Sequence, residues 1–479
     1  MARSYEELSG AEGREVFFRA ERIPARALFG DRQPEVKLHN HEVSLIDLSM
    51  SGLALEVPAD DMNGFAKDAE FPLVIDFKGK TLFEGTGRVA RVEENDDGAK
   101  LGIALPAAYL DLDALRSEIL QVSAVSEGKI NYLDMRRHVS PHYRAFISDL
   151  SFLLNGYKRE IEGFVAQMDP TKDQIEEFLQ ACEATAIPQW RALCEEGNAL
   201  MADMADAEEV RWSKLFTEIN ITTETMVSPL QRRAYEKPLG YPGDYRVMDY
   251  VYDWAREGET PYAQFVHRLA LEPMECVKTR LKKQEEIILN EIERANKREP
   301  FRITNMACGT AQEIRNLLDR KAFKSPVDMT LVDQEKNTLA YAYERTYPAV
   351  QDLKGLVTLK YWNASFKQLL RPNELLADLQ GQDLIYSLGL FDYLKEKRGQ
   401  RLIGGLFDKL APGGLLVIAN LKEGAVSKWT SEFMSDWSMI YRTPEEMRTL
   451  ADGLNGADVS IETDDLDEIL FLKIRKQQA

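Results

Sequence analysis

The chain has 479 residues, 44% of them hydrophobic and 29% charged, an ordinary globular balance that fits about two to four domains. Its formal net charge of −19 at pH 7 argues against broad nucleic-acid binding, because such binding needs a basic face that displaces counterions. No apolar run approaches the ~20 residues of a membrane span, the first residues lack a signal-peptide pattern and the four cysteines form no CxxC pair, so we expect a cytoplasmic protein with reduced thiols.

Residues 1–107 carry short, β-rich runs that are separated by turn residues such as Lys78-Gly79-Lys80. The runs are Val36–Leu38, Val43–Ile46, Leu53–Val57, Phe71–Phe77, Thr81–Val92 and Leu101–Leu105. Short strands at this spacing indicate a small antiparallel barrel or a sandwich. We therefore predict a first, all-β domain over residues 1–107.

Two motifs in this region could bind an anionic nucleotide. Arg22 and Arg26 frame the sequence RIPAR, and two arginines can clamp phosphates bidentately and stack on bases. The second motif is DLSMSG, in which Asp47 can accept a hydrogen bond from a guanine edge and Ser49 can donate one to phosphate. Gly52 ends this motif and permits a close approach that a Cβ would block.

Together the two motifs resemble the RxxxR and [D/N]xSxxG signature of PilZ domains. The resemblance implies a six-stranded barrel that binds cyclic di-GMP. The binding residues that it implies are Arg22, Arg26, Asp47, Ser49 and Gly52.

Residues 108–296 are predicted to be helical, because IEEFLQACEAT and VKTRLKKQEEIILNEIERANKRE repeat apolar residues every three to four positions. One segment, KPLGYPGDYRVMDYVY, interrupts the pattern with a tight loop rich in Pro and Gly. The loop carries Tyr241, Asp244 and Tyr245. It is either a turn between helices with core tyrosines or a lid that presents these side chains to a substrate.

Strands and helices alternate over residues 297–479, and DVSIETDD with EILFLKIRK could form a closing hairpin. Such alternation predicts a doubly wound, mainly parallel sheet. Small residues at 307, 309 and 311 follow the first strand and precede a helix, so a ligand could approach the backbone there. Asp333 ends the second strand, where an acid can accept both hydroxyls of a ribose.

This order of elements resembles the class I S-adenosylmethionine (SAM)-dependent methyltransferases, and it implies a SAM site. The implied cofactor residues are Asn305, Ala307, Cys308, Gly309, Asp333, Gln334, Asn363, Ala364, Ser365, Ser387 and Gly389. Two residues depart from the family pattern: Asn305 stands where an acid is usual, and Ala307 stands where glycine is usual. Asparagine can still accept a hydrogen bond, and alanine is the smallest replacement for glycine.

The helical lead, the GYPGDY loop and the methyltransferase-like sheet together resemble bacterial proteins that make 3-hydroxypalmitic acid methyl ester. This resemblance implies a fatty-acid or other small carboxylate as methyl acceptor. Candidate catalytic residues are Tyr241, Asp244, Tyr245, Asp392 and Tyr393. Arg442 is the candidate partner of the acceptor carboxylate.

The sequence therefore predicts three parts: a PilZ-like domain (1–107), a helical segment (108–296) and a class I methyltransferase domain (297–479). The expected function is a SAM-dependent methyltransferase that cyclic di-GMP regulates, with no metal and with an oligomer left open. Two alternatives remain. One is an inactive methyltransferase fold that relays cyclic di-GMP to a partner protein, which Asn305 and Ala307 favour. The other is a protein carboxylate methyltransferase, against which the GYPGDY loop weighs.

Overall fold

The computed structural model describes residues 23–29, 33–39, 41–49, 52–58, 65–95, 98–105, 110, 115, 119, 137–239, 241–296, 299–353, 355–364, 379 and 381–478. The described residues belong to two compact units. The first unit covers those within Glu6–Asp134 and Leu239–Tyr241, and the second covers those within Met135–Pro238 and Pro242–Ala479.

An antiparallel barrel makes up most of the first unit. Its elements are β1 (Ile23–Pro24), α1 (Ala25–Phe29), β2 (Glu35–Leu38), β3 (His41–Ser49), β4 (Gly52–Pro58), β5 (Glu70–Phe77), β6 (Lys80–Asn95) and β7 (Gly98–Ala104). The strand order is β1-β3-β2-β5-β6-β7-β4, and β4 pairs again with β3, so six strands close on themselves. Leu48, Leu53 and Leu73 are fully buried inside. Closure removes the edges that a sandwich would leave, which decides between the two predicted architectures.

The second unit begins with helices. They are α2 (Pro141–Met168), α3 (Lys172–Ala202), α4 (Ala207–Thr217), α5 (Pro229–Glu236), α6 (Tyr245–Asp253), α7 (Pro261–Leu271) and α8 (Glu275–Ala295). A π-helical turn, Glu218–Thr222, continues α4. Thr171 and Gln174 form a capping box that starts α3, because each side chain satisfies a backbone N–H that the helix leaves unpaired. The GYPGDY loop joins α5 to α6.

These helices share a core with the C-terminal part of the chain. The indole Nε1 of Trp429 donates to the hydroxyl of Tyr143 on α2 at 2.9 Å. The Trp429 ring also lies against Gly197 of α3, where an added Cβ would come within 2.6 Å of it. Only glycine allows this approach, so α3 and the Trp429 segment pack directly on each other.

A seven-stranded sheet completes the second unit. Its strands are β8 (Phe301–Met306), β9 (Val327–Asp333), β10 (Val357–Asn363), β11 (Gln382–Ser387), β12 (Leu410–Leu421), β13 (Ala457–Thr463) and β14 (Ile469–Lys476). The helices between them are α9 (Gln312–Asp319), α10 (Lys336–Asp352), α11 (Glu396–Asp408) and α12 (Pro444–Thr449).

The strand order of this sheet is β10-β9-β8-β11-β12-β14-β13. The first five strands in that order run parallel, and β14 is antiparallel to both β12 and β13. All six residues of β11 are buried, as expected for a central strand covered on both faces. The direction of winding reverses between β8 and β11, and open α/β sheets bind ligands beyond the carboxyl ends of the strands at such a point.

The predicted fold class is confirmed: a multidomain chain with a small antiparallel barrel, a helical segment and a doubly wound α/β sheet. None of the helices in the described ranges is long and apolar enough to cross a membrane. All four cysteines are buried free thiols.

Candidate functional site at the winding switch

The loop after β8 has an unusual backbone. Ala307, Gly309 and Ala311 have φ angles of 56°, 54° and 49°, in the left-handed region where a larger side chain would be strained. A Cβ added to Gly309 would meet nothing within 4 Å, so the described residues leave open space over its backbone. The positive φ explains the glycine at position 309, and the open space there leaves the loop backbone accessible to a ligand.

Asp333, at the end of β9, fixes this loop. Its carboxylate accepts hydrogen bonds from the Gly309 and Glu335 N–H groups, both at 2.9 Å. Burial raises the pKa of Asp333, while these backbone N–H groups act in the opposite direction. A carboxylate has about four acceptor positions, so two bonds leave capacity for the hydroxyls of a ribose.

Asn363 and Ala364, two of the implied cofactor residues, lie beside Asp333. The Asn363 amide donates to the carbonyls of Asp333 and Gln334 at 3.2 and 2.8 Å, and the Ala364 N–H donates to the Asp333 carbonyl at 3.0 Å. Ser365 lies outside the described residues. The end of β10 is therefore held against the end of β9 by the Asn363 side chain and the Ala364 N–H.

Two buried polar atoms near this loop test whether a cofactor would fit. Thr310 Oγ1 and Gln334 Oε1 have no hydrogen-bond partner within the described parts of the chain. Buried polar atoms are normally paired, so each of these is a candidate contact for a polar ligand. The open backbone at Gly309, the Asp333 carboxylate and these two atoms together suit a nucleoside with a polar tail.

The ends of β8 and β11 are joined at the switch point. The Ser387 hydroxyl donates to the Met306 carbonyl at 2.8 Å. Arg280 of α8 is buried beside Gly389, with its guanidinium nitrogens 3.9 Å from the position of a Gly389 Cβ. Arg280 donates to the Leu388 carbonyl at 2.8 Å. A buried cation therefore lies directly after β11.

A buried acid, Glu313, lies at the base of the same switch point. Its Oε1 accepts from the Asn305 amide and from the Tyr386 hydroxyl, both at 2.7 Å. Asn305 and Tyr386 are direct neighbours across β8 and β11. Burial raises the pKa of Glu313 to about 7, although the Tyr386 bond lowers it.

Asp392 and Tyr393 follow β11, as predicted for the acceptor side. Asp392 accepts from the Leu421 N–H at 2.8 Å, and its other oxygen lies 3.8 Å from Arg280. Tyr393 accepts a hydrogen bond from the indole of Trp437 at 2.9 Å. Burial raises the pKa of both Asp392 and Tyr393.

The GYPGDY loop reaches this region through Trp437. Gly243 has a φ of 70°, and a Cβ there would come within 2.3 Å of the Trp437 ring. The ring therefore lies on the loop backbone while its indole nitrogen bonds Tyr393. Trp437 therefore links Gly243 of the loop to the turn after β11.

The three polar side chains of the loop have different surroundings. Asp244 is buried and caps α6 by accepting from the Arg246 and Val247 N–H groups, while Arg233 donates to it at 2.8 Å. Tyr245 contacts the ring of Tyr341, and Tyr241 is half-buried. These contacts favour a structural role for Asp244, because its oxygens are committed to the helix and to the arginine.

Arg442 is also committed. It is buried, and it donates to the carbonyls of Phe391 and Leu394 and to the side chain of Asn420. Its guanidinium therefore joins the turn after β11 to β12. This arrangement favours positioning of that turn over direct contact with a substrate carboxylate.

The two barrel motifs are neighbours in the structure. Pro24 pairs with Asp47 in the β1–β3 ladder, which brings the RIPAR backbone beside DLSMSG. Ser49 donates to the Gly52 carbonyl at 3.1 Å, and a Cβ at Gly52 would come within 2.2 Å of the Ile103 carbonyl oxygen. The pairing of β4 with β7 therefore requires a glycine at position 52. Arg22 and the side chain of Arg26 lie outside the described residues.

Sequence reasoning missed Glu313, Tyr386 and Arg280 of this candidate site. Glu313 follows the glycine-containing loop closely enough to have been noticed, because an acid in the first turn after such a loop is brought back to the strand end. Arg280 had no signal, since it is one of many charges on an amphipathic helix. Only the packing of α8 against β11 reveals it.

Part of the chain matches a known family. Residues 17–120 match the family described as PilZ domain. Among curated proteins, none is similar enough in sequence to count as a match.

The solved structures to which this chain is similar include several methyltransferases. A possible exported protein from Bordetella parapertussis is 18% identical, with a TM-score of 0.41 over 61% of this chain and 95% of its own. An O-methyltransferase family protein from Burkholderia thailandensis is 17% identical, with a TM-score of 0.34 over 56% of this chain and 70% of its own. Magnesium protoporphyrin IX methyltransferase from Synechocystis PCC 6803, with bound SAM, is 9% identical, with a TM-score of 0.31 over 43% of this chain and 84% of its own. All three TM-scores lie below 0.5, so the description of the fold rests on the strand order and strand directions given above.

Proposed function

We propose that this protein is a SAM-dependent methyltransferase whose activity responds to cyclic di-GMP. The observation that carries the proposal is the arrangement at the switch point: an open left-handed loop at Gly309 held by the Asp333 carboxylate. That arrangement presents backbone and carboxylate where a doubly wound sheet binds a nucleotide. Asp333 would hold the ribose, Thr310 and Gln334 would contact polar groups of the cofactor, and Asn363 would hold Asp333 in place.

SAM would supply a methyl group bound to a positively charged sulfur: the acceptor oxygen would bond to the methyl carbon as the carbon–sulfur bond breaks, and S-adenosylhomocysteine would leave. The protein's part is to align the acceptor oxygen with the methyl carbon and to exclude water. The ends of β8 and β11 are buried, and Trp437 contacts both Tyr393 after β11 and Gly243 of the GYPGDY loop, an arrangement suited to both tasks.

The acceptor would be a small carboxylate. Asp392 is held by the Leu421 N–H and faces Arg280, and burial raises the pKa of Tyr393, so neither is well placed to remove a proton from a hydroxyl. A carboxylate is already ionised and needs no base. The buried cation of Arg280 beside Gly389 would favour an anionic acceptor.

Regulation would come from the barrel. The match of residues 17–120 to the PilZ domain, with RIPAR beside DLSMSG, supports cyclic di-GMP binding by Arg22, Arg26, Asp47 and Ser49. The dinucleotide would alter turnover only if it favours one conformation of the whole protein over another.

The decisive experiment incubates the full-length protein with methyl-labelled SAM and cell extract, with and without cyclic di-GMP, and identifies the labelled product. We expect base-labile label in a small organic-soluble ester, changed in amount by cyclic di-GMP, and absent with the Asp333→Ala variant. Label in protein instead would favour a protein carboxylate methyltransferase. SAM binding without any labelled product would favour the inactive cyclic di-GMP effector.

A further inference from the structure

A buried, hydrogen-bonded cluster lies at the end of β8 and contains the carboxylate of Glu313. Its other members are Asn305 and Tyr386. Asn305, Glu313 and Tyr386 are 3%, 2% and 0% exposed, and both donors converge on the same oxygen of Glu313. Within the part of the chain that the structure describes, no cation lies within ion-pair distance of Glu313. Burial of a carboxylate without such a partner is costly.

The groups that face Glu313 do not remove this cost. From α8, Glu285 opposes its ionisation and Arg280 favours it only through space. Glu285 is itself paired with Arg320. Tyr252 of α6 and the Cys308 thiol are uncharged neighbours, and burial raises the pKa of both.

The position of the cluster suggests what would compensate the charge. Asn305 is the last residue but one of β8, directly before the open loop, and Glu313 is in the first turn of the helix that follows the loop. A ligand over Gly309 would therefore lie close to the end of β8, where Asn305 donates a hydrogen bond to Glu313. The amino-acid end of SAM carries an α-ammonium, the kind of cation that the cluster lacks.

We propose that Glu313, acting through Asn305, is the counter-charge that positions the α-ammonium of SAM. The inference rests on the proposed function and deepens it. Glu313 is a positioning residue here, because Asn305 lies between it and the ligand site. The acid that β8 lacks at residue 305 is thereby supplied from α9.

Binding of the α-ammonium should change the protonation of Glu313. The pKa of Glu313 is about 7 without ligand, so the carboxyl is about half protonated near neutral pH. A neighbouring ammonium favours the ionised form, so ligand binding expels the remaining proton. Affinity should therefore rise roughly five- to tenfold from about pH 6 to about pH 7.5, and then level off.

The test uses calorimetry on the full-length protein with two ligands. S-adenosylhomocysteine carries the α-ammonium, whereas 5′-methylthioadenosine has the same nucleoside without the amino-acid end. Titrations in buffers of different ionisation enthalpy give the number of protons released. We expect about half a proton released per S-adenosylhomocysteine near pH 7, and none with 5′-methylthioadenosine.

The Glu313→Gln variant keeps the acceptor oxygen for Asn305 and Tyr386 but removes the charge. It should lose the pH dependence, bind S-adenosylhomocysteine about tenfold more weakly near pH 7.5 and bind 5′-methylthioadenosine as the wild type does. Equal proton release with both ligands, or none with either, would overturn the inference from the wild type alone, even if the variant does not fold. Failure of wild type to bind S-adenosylhomocysteine at any pH would overturn the proposed function as well.

Discussion

In the barrel, the described residues of the candidate site lie on one hairpin, β3–β4, with β1 paired beside it. In the α/β unit, the candidate site draws on the ends of β8, β9, β10 and β11 and on α6, α8 and α9. Each of the two barrel motifs is thus continuous in sequence, and their signature can be read directly. The sheet site is assembled by topology, and its buried members carry no local signal.

The two regions also differ in how they treat charge. The residues predicted to bind cyclic di-GMP in the barrel include two arginines that would contact phosphate, in a chain with a net charge of −19. The sheet site brings several buried ionisable groups together at one end of four strands, among them Asp333, Glu313 and Arg280. Variants in the barrel should therefore act on ligand binding with little effect on folding, whereas variants in the sheet should affect both.

The largest effect is expected for the double variant Arg22→Ala/Arg26→Ala. Loss of two bidentate phosphate contacts should reduce cyclic di-GMP affinity at least a hundredfold, below detection by calorimetry. SAM affinity should stay within twofold of wild type. The matched control is Arg91→Ala, which removes an exposed barrel arginine outside both motifs. Undiminished cyclic di-GMP binding by the double variant would reject the assignment of the RIPAR motif.

Glu313→Gln should change how stability depends on pH. The folded-state pKa is raised to about 7, so the folded protein binds the Glu313 proton more tightly than the unfolded chain does. Stability from this group is present at low pH and is lost as pH rises through about 7. Without ligand, the variant should gain up to about 3 kcal/mol over wild type near pH 8 and little near pH 5. Thermal unfolding of both proteins across this pH range measures the difference, and a constant offset would contradict it.

The fold could be predicted largely from sequence because its signals are local. Strand periodicity, the Lys78-Gly79-Lys80 turn and the strand–helix alternation after residue 297 all act over short distances. Barrel closure was left open against a sandwich, since it depends on β4 returning to β3. That pairing joins strands whose ends are set by the packing of the whole barrel.

The site could be predicted only where its residues follow a strand in sequence. Asp333, Gly309 and Asn363, which lie at or just after strand ends, were predicted by that rule and remain candidates. The sequence did not reveal the roles of Asp244 and Arg442. An aspartate that caps a helix looks like a catalytic acid, and a buried arginine that holds a turn looks like one that binds a substrate. Hydrogen-bond partners distinguish these roles, and those partners are distant in sequence or visible only in the folded chain.

Asp333→Ala should weaken SAM binding tenfold to a hundredfold, or about 1–3 kcal/mol. The variant removes the proposed ribose acceptor and frees the Gly309 N–H, so the loop loses its anchor to β9. Equilibrium binding of SAM to the folded variant measures the effect. Asp328→Ala, on the same strand but half-buried, is a suitable control and should bind SAM normally. Unchanged affinity in Asp333→Ala would reject the cofactor assignment.

The smallest effect is expected for Asp244→Asn. This variant tests whether the GYPGDY loop is a lid over the acceptor or a joint, that is, a structural turn between α5 and α6. Asparagine still caps α6, but it loses the charge that pairs with Arg233. We expect about 1 kcal/mol less stability, with turnover per folded molecule and SAM affinity both retained. Tyr241→Phe is the matched comparison in the same loop, because it removes one hydroxyl and leaves the helix cap intact.

The two loop variants separate the roles through kcat. If the loop contributes chemistry through its phenol, Tyr241→Phe lowers kcat at least tenfold without changing thermal stability or SAM affinity. If Asp244 itself contacts the acceptor, Asp244→Asn lowers kcat more than its loss of stability explains, and the structural role inferred from its cap and ion pair is wrong. Retained kcat in both variants, with reduced stability in Asp244→Asn alone, makes the loop a joint. Its contribution to the acceptor site would then be the surface that Gly243 offers to the Trp437 ring.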